Sequence, residues 1–189
     1  SGTTSRPKIV PLTSDNISVS ARNIARTLKL NDRDRYLNIM PLFHIHGLLA
    51  GVLTTLESGG SIYCSTGFDA LKFFNMLNDA KPTWFSAVPT MHQAILDRAK
   101  RNKEIIKQIK LKFIRSSSAS LPVSVLKKLE LEFNCPVIEA YGMTEASHQM
   151  TSNPLPPLRR KPGTVGLPAG PIIGILSNEG QLVGANQIG

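Results

Sequence analysis

Cysteine, acidic residues and long apolar runs are what this sequence has least of. Cys64 and Cys135 are its two cysteines in 189 residues. That is too few for a disulfide framework and the wrong spacing for a zinc site, so a reducing compartment is expected, with both thiols buried at strand ends. No stretch approaches the roughly 18 apolar residues needed to cross a bilayer, and no basic-then-apolar leader opens the chain. The sequence therefore reads as a soluble protein without a secretion signal of its own. Neither the phosphate loop GxxxxGK[ST] nor the hydrolase elbow GxSxG occurs. Acidic residues number 13 against 22 Lys and Arg, a net charge of +9. Such a balance asks for an anionic partner, whether nucleic acid, a membrane surface or a phosphorylated ligand. Much of the excess lies in "RAKRNKEIIKQIKLK", residues 98–112, where Ile105, Ile106 and Ile109 recur at helical spacing. This is the pattern of a helix with a solvated basic face, and no RNA-binding aromatic motif accompanies it.

What is present is an alternation. Short β-rich runs, "YLNIM" (36–40), "SIYCS" (61–65), "TWFSAV" (83–88), "FIRSSS" (113–118) and "VIEAYG" (137–142), are separated by apolar residues at helical spacing over 17–28, 48–56, 70–77, 90–98 and 123–133. The 41% hydrophobic and 19% charged composition is ordinary for a globular α/β domain. The fold class expected is α/β, a mainly parallel doubly wound sheet flanked by helices, with ligands at the carboxyl edge of the strands. After Thr144 the texture changes. "TSNPLPPLRRKPGTVGLPAGP" forbids long helices and reads as an extended surface loop, and a β-hairpin around "SNEG" is expected beyond it. Two units follow: residues 1–145 as the α/β segment, and 146–189 as loop and hairpin leading onward.

The polar residues gather at predicted strand ends. Ser117 and Ala119 are small enough to line a flat slot for a base, and Tyr141 offers a stacking face. Thr144 and Glu145, expected at the start of the next helix, suit a phosphate and its Mg²⁺. The opening "SGTTSRPK" supplies Thr3, Thr4 and Lys8 for outer phosphates. His46 is expected to shape its loop, and Met91 and His92 to be ordinary helix residues.

Together "SGTTSRPK", "MPLFHIHG", "IRSSSASL" and "YGMTEA", in this order, resemble the AMP-forming acyl-CoA synthetases of the adenylate-forming superfamily, over nearly the whole chain. The resemblance implies ATP and Mg²⁺ as cofactors, CoA as co-substrate, and formation of acyl-AMP and then acyl-CoA. It implies a nucleotide site made of Ser1, Gly2, Thr3, Thr4 and Lys8 at the phosphates, and Ser117, Ser118 and Ala119 at the adenine. Glu139, Ala140, Tyr141, Gly142, Met143 and Thr144 complete that site. Thr4 and Glu145 would hold the metal, and Lys8, Thr144 and Glu145 would carry the catalysis. Ser5 and Ile9 stand where the common loop has glycine, which restricts the backbone there. The family's ribose-binding Asp, its hinge and the adenylation Lys of its lid have no counterpart before Gly189. The chain is thus expected to be an internal segment of a longer enzyme, inactive by itself.

Within the superfamily the motifs are most similar to the oxalate-CoA ligase group. A short dicarboxylate needs hydrogen-bond donors for its second carboxylate, where a fatty or aromatic acid needs apolar walls. His44, Ser118 and His148 lie in the three segments expected around the acyl group and would form a polar cup. The partners expected are a small carboxylate, ATP and CoA, without membrane, in the cytoplasm, or the peroxisome of a eukaryote. A peptide-synthetase adenylation domain, another acyl-CoA synthetase and a non-catalytic nucleotide-binding fragment stay open as alternatives.

Overall fold

A computed structural model describes residues 8–189. Its centre is a sheet with strand order β2-β1-β3-β4-β5-β6-β7. The strands are β1 (Arg35–Asn38), β2 (Ser61–Cys64), β3 (Trp84–Ala87), β4 (Phe113–Ser116), β5 (Val137–Met143), β6 (His148–Ser152) and β7 (Leu167–Pro168). β1 to β5 run parallel, and β6 and β7 are antiparallel to their neighbours. Because β2 and β3 flank β1 on opposite sides, the winding reverses there, leaving a crevice at the carboxyl ends of β1 and β3.

Strand alternation sorts the core into two layers. Leu37, Phe85, Ile114 and Val137 point to one face, where α3 (Phe73–Ala80), α4 (Pro89–Ala99), α5 (Lys103–Gln108) and α6 (Val123–Phe133) cover them. Tyr36, Trp84, Phe113 and Ile138 point to the other, under α1 (Ser14–Thr27) and the π-helical segment His46–Leu53 that runs on into α2 (Thr54–Glu57). Local signals place the helix ends. The Thr13 side chain accepts from the Asn16 N–H in a reciprocal capping box that starts α1, and Pro89 opens α4. Lys81 and Asn134 take left-handed conformations that end α3 and α6.

Four expectations need correction. The helix over 48–56 is mostly π-helical, and Gly47 and Gly51 bring its backbone hard against the Pro41 carbonyl and the Tyr36 ring, where any Cβ would collide. The basic stretch is not one helix. α4 ends at Ala99 and a 3₁₀ turn, Lys100–Asn102, precedes α5, with the Asn102 amide donating to the Arg98 carbonyl at 2.9 Å. Thr144 and Glu145 do not begin a helix. They form a single 3₁₀ turn, Thr144–Ala146, after which Ser147 and His148, both at positive φ, return the chain as β6 against β5. That reversal gives the β5 edge a pairing partner, which a helix could not. Cys64 is exposed, and only Cys135 is buried as expected.

The "SNEG" turn is present, closed by the Ser177 N–H on the Gln181 carbonyl at 2.8 Å, and its arms meet in a single bridge, Leu176 to Leu182. No helix among the described residues is long and apolar enough to cross a membrane.

Candidate active site

β5 runs on past the end of its parallel neighbour β4, so the small residues after β4 face the aromatic segment of β5. Between them opens a cavity of about 300 Å³ lined by Ser116, Ser118, Ala119, Glu139, Ala140, Tyr141 and Gly142, and closed on its far side by Gly163, Thr164 and Val165. Ser117 lies just behind it, its hydroxyl donating to the Ala140 carbonyl at 3.0 Å and tying the two strand ends. Tyr141 is 42% exposed and lines the cavity. The Glu139 carboxylate accepts the Gly163 N–H at 3.1 Å and so anchors the Pro/Gly-rich loop as a wall of the slot. Burial raises its pKa, against the Gly163 hydrogen bond and the Arg160 charge.

Gly142 permits the next step of the chain. A Cβ there would run into the His148 carbonyl, where β5 and β6 bulge past one another. Met143 is partly exposed beside it. Thr144 lines a second cavity, of about 350 Å³, with His44 and the apolar Leu12, Ile17, Phe43, Leu48 and Leu53. Exposed Glu145 borders a third, of about 410 Å³, at the start of α1. Lys8 is exposed at the beginning of the described chain, and Ser1, Gly2, Thr3 and Thr4 lie outside the described residues.

The expected cup of His44, Ser118 and His148 meets around a fourth residue, His46. At the head of the π-helical segment, the His46 N–H donates to Nδ1 of exposed His44 at 3.1 Å. Its ring is fully buried between two hydroxyls, Nε2 at 2.6 Å from Ser86 Oγ and Nδ1 at 3.0 Å from Ser118 Oγ. The His148 ring lies 5.5 Å away, centroid to centroid, 3% exposed, with Nδ1 unpartnered. Burial, then the positive charge of Arg115, pushes both imidazoles well below the ordinary histidine range, so both are neutral at physiological pH.

The sequence reading gave His46 a loop-shaping role, which its bond to His44 fits, but missed its place between Ser86 and Ser118. It passed over Arg115 altogether. The available signal was a polar residue in each of two apolar strands, Ser86 two places after Trp84 and Arg115 two after Phe113. These positions are paired in register and share one face. His92 is an α4 core residue against Phe85, as expected, and burial lowers its pKa to about 4.

The AMP-binding enzyme family matches residues 1–189. The chain is 47% identical over 192 residues to an oxalate–CoA ligase of Arabidopsis thaliana, covering all of this chain and 37% of that protein. It is 47% identical over 189 residues to an oxalate–CoA ligase of Saccharomyces cerevisiae, covering all of this chain and 34% of that one. Among solved structures, ATP-bound MatB from Rhodopseudomonas palustris matches 98% of this chain and 36% of its own at TM-score 0.85 and 28% identity. MenE from Bacillus subtilis, in complex with ATP and magnesium, matches 98% of this chain and 38% of its own at TM-score 0.83 and 28% identity. The chain spans about a third of the length of the curated relatives it matches. With the family model matched from end to end and the motif-bearing strand ends set side by side, the chain belongs to the AMP-binding enzymes.

Proposed function

We propose that this chain is part of an AMP-forming acid–CoA ligase whose acid is a small dicarboxylate, oxalate first among them. The observation that carries the reading is the slot at the ends of β4 and β5, where Ser118 and Ala119 face Tyr141 and Gly142, with Thr144 next along the chain. A carboxylate oxygen of the acid attacks the α-phosphorus of ATP, the bond to pyrophosphate breaks, and acyl-AMP results. The CoA sulfur then adds to the acyl carbon, its proton passes to solvent, and AMP leaves. Alignment and charge neutralisation supply most of such a step, and no enzyme nucleophile is needed.

In this reading Ser117, Ser118, Ala119, Glu139 and Ala140 frame the adenine, and Tyr141 stacks on it. Gly142 and Met143 carry the chain past the base. Thr144 holds the α-phosphate, and Ser1, Gly2, Thr3, Thr4 and Lys8 hold the outer phosphates. Glu145 and Thr4 would hold Mg²⁺, which supplies positive charge at the phosphates when bound. The donor fits: Glu145 is a single exposed carboxylate. That suits an ion taking most of its ligands from phosphate and water. We place the enzyme in the cytoplasm, or the peroxisome of a eukaryote, in keeping with its free cysteines. The isolated 189 residues are proposed to be inactive, since the family's ribose Asp and lid Lys have no counterpart in them.

Hydrogen-bonding groups around His46, and the oxalate–CoA ligase relatives, support the dicarboxylate. The mostly apolar cavity beside His44 favours a second reading, an acid with an apolar body. Carboxylate-dependent exchange of pyrophosphate into ATP by the full-length enzyme decides between them. Oxalate should outrun acetate, benzoate and octanoate, whereas preference for benzoate or octanoate would make the apolar cavity the acyl pocket. Lys8→Ala should lower exchange to a similar extent with every acid accepted. A loss confined to one acid would move Lys8 from the phosphates to the acyl site.

A further inference from the structure

Arg115 sits at the middle of the sheet with none of its surface exposed. Its Nη2 donates to the Gln149 side-chain oxygen at 3.3 Å, and Nε and Nη1 have no partner. Four ion pairs join carboxylates to lysine or arginine among the described residues, and Arg115 is in none of them. A buried guanidinium without an anion is costly, so its position calls for a reason. The groups around it are neutral or basic. Tyr36 lies near it on β1, Ser86 beside it on β3, His46 at the head of the π-helical segment, and His148 and Gln149 on β6. Thr27 of α1 accepts from the Gln149 amide at 3.3 Å, and His92 lies across the sheet on α4. No Asp or Glu is among them.

We propose that Arg115 is the fixed positive charge beneath the acyl pocket, acting through the His46 and His148 imidazoles to select acids that carry a second carboxylate. The inference rests on reading the His44, Ser118 and His148 region as that pocket. A dianion entering a buried cup needs positive charge nearby, and hydrogen bonds from neutral imidazoles supply none. Arg115 keeps its proton, since burial lowers its pKa only to about 10. Its charge also repels protons from both imidazoles, so the cup holds one constant charge across the physiological range in place of two that titrate. Arg115 is therefore a positioning residue, one layer behind the groups proposed to touch the substrate.

The test uses the full-length enzyme with Arg115→Met and Arg115→Lys. Arg115→Met should lower kcat/KM for oxalate by about 10- to 100-fold, as expected for loss of one charge behind the pocket in a partly screened interior. Acetate should lose less than about threefold, and KM for ATP should hold. Removing the repulsion lets the imidazoles take protons more readily, so in Arg115→Met the KM for oxalate should be lower at pH 6 than at pH 8, where the parent enzyme is flat. Arg115→Lys keeps the charge and should keep both the flat profile and the preference for the diacid. Equal losses for oxalate and acetate with a flat profile in Arg115→Met would make the residue a packing element and overturn the proposal. So would loss of the diacid preference in a folded Arg115→Lys. If the parent enzyme activates no diacid, the substrate reading fails independently. Substrate-free NMR titration of His46 and His148 then tests the field alone. Midpoints that rise in Arg115→Met and stay in Arg115→Lys support it, and unmoved midpoints overturn it. Should Arg115→Met not fold, the Arg115→Lys kinetics and titration carry the test.

Discussion

The two faces of the sheet are built on opposite terms. Under α3 to α6 the strands present Leu37, Phe85, Ile114 and Val137 to Phe73, Leu77, Leu129 and Phe133, and the layer closes as dry packing around rings such as Phe73 and Phe85, 5.3 Å apart. Under α1 and the π-helical segment β1, β3 and β4 present Tyr36, Trp84 and Phe113. Two residues further on they present Asn38, Ser86 and Arg115, all fully or almost fully buried. Tyr36 Oη, Asn38 Oδ1, Trp84 Nε1 and two Arg115 nitrogens on that face lack partners. One face holds the fold together, and the other gives up stability toward the carboxyl edge, where the candidate site lies. Unpartnered buried polar groups are tolerated where a site needs them and are rare elsewhere.

The largest expected effect comes from the dry face. Phe85→Ala, which empties a fully buried ring position against Phe73 and Phe133, should cost about 3–5 kcal/mol in urea unfolding. A loss below about 1 kcal/mol would mean that this layer is not the stabilising one.

His92 is a polar residue buried on that face and sharpens the contrast through pH. Its folded pKa of about 4 lies below the ordinary 6.5, so the unfolded chain binds the extra proton between those values. Stability should be complete above about pH 6.5 and fall by roughly 2–4 kcal/mol as pH drops toward 4. His92→Gln should flatten that slope, and an unchanged slope would assign the acid loss to other groups.

On the polar face, His148→Val in the full-length enzyme should depress kcat/KM for oxalate about 10- to 150-fold, the worth of one lost hydrogen bond to a charged group. KM for ATP should be nearly unchanged and acetate should suffer less. Parallel loss of oxalate and acetate would remove His148 from the cup. Smallest is Ser86→Ala. It strands the His46 Nε2 that now meets Ser86 Oγ at 2.6 Å, and should cost about 1–3 kcal/mol of stability. A neutral result would show that the two faces differ less in their tolerance than their composition suggests.

Much of this arrangement was legible in the residues. Helical spacing over 123–133 matches α6 to the residue. The five β-rich runs all contain strands. The segment after Thr144 was misjudged because a Thr-Glu pair is a good helix opener locally, while the unpaired edge of β5, a non-local feature, recruits β6. Among the proposed site residues, the motif positions at the ends of β4 and β5 could be named in advance, since parallel strands deliver their carboxyl ends to one edge.

Periodicity, turn residues and motif order, all local along the chain, by themselves determined the α/β class, the strand ends that bear the polar residues and the nucleotide chemistry those residues resemble. Register and crossover decided the rest. Ser86 lies beside Arg115 because β3 and β4 pair in that register, and His46 reaches both Ser86 and Ser118 because Gly47 and Gly51 let its helix press onto the sheet. Such contacts join residues far apart in sequence, and their energy is gained only when the whole sheet is assembled, so no window of the sequence carries them.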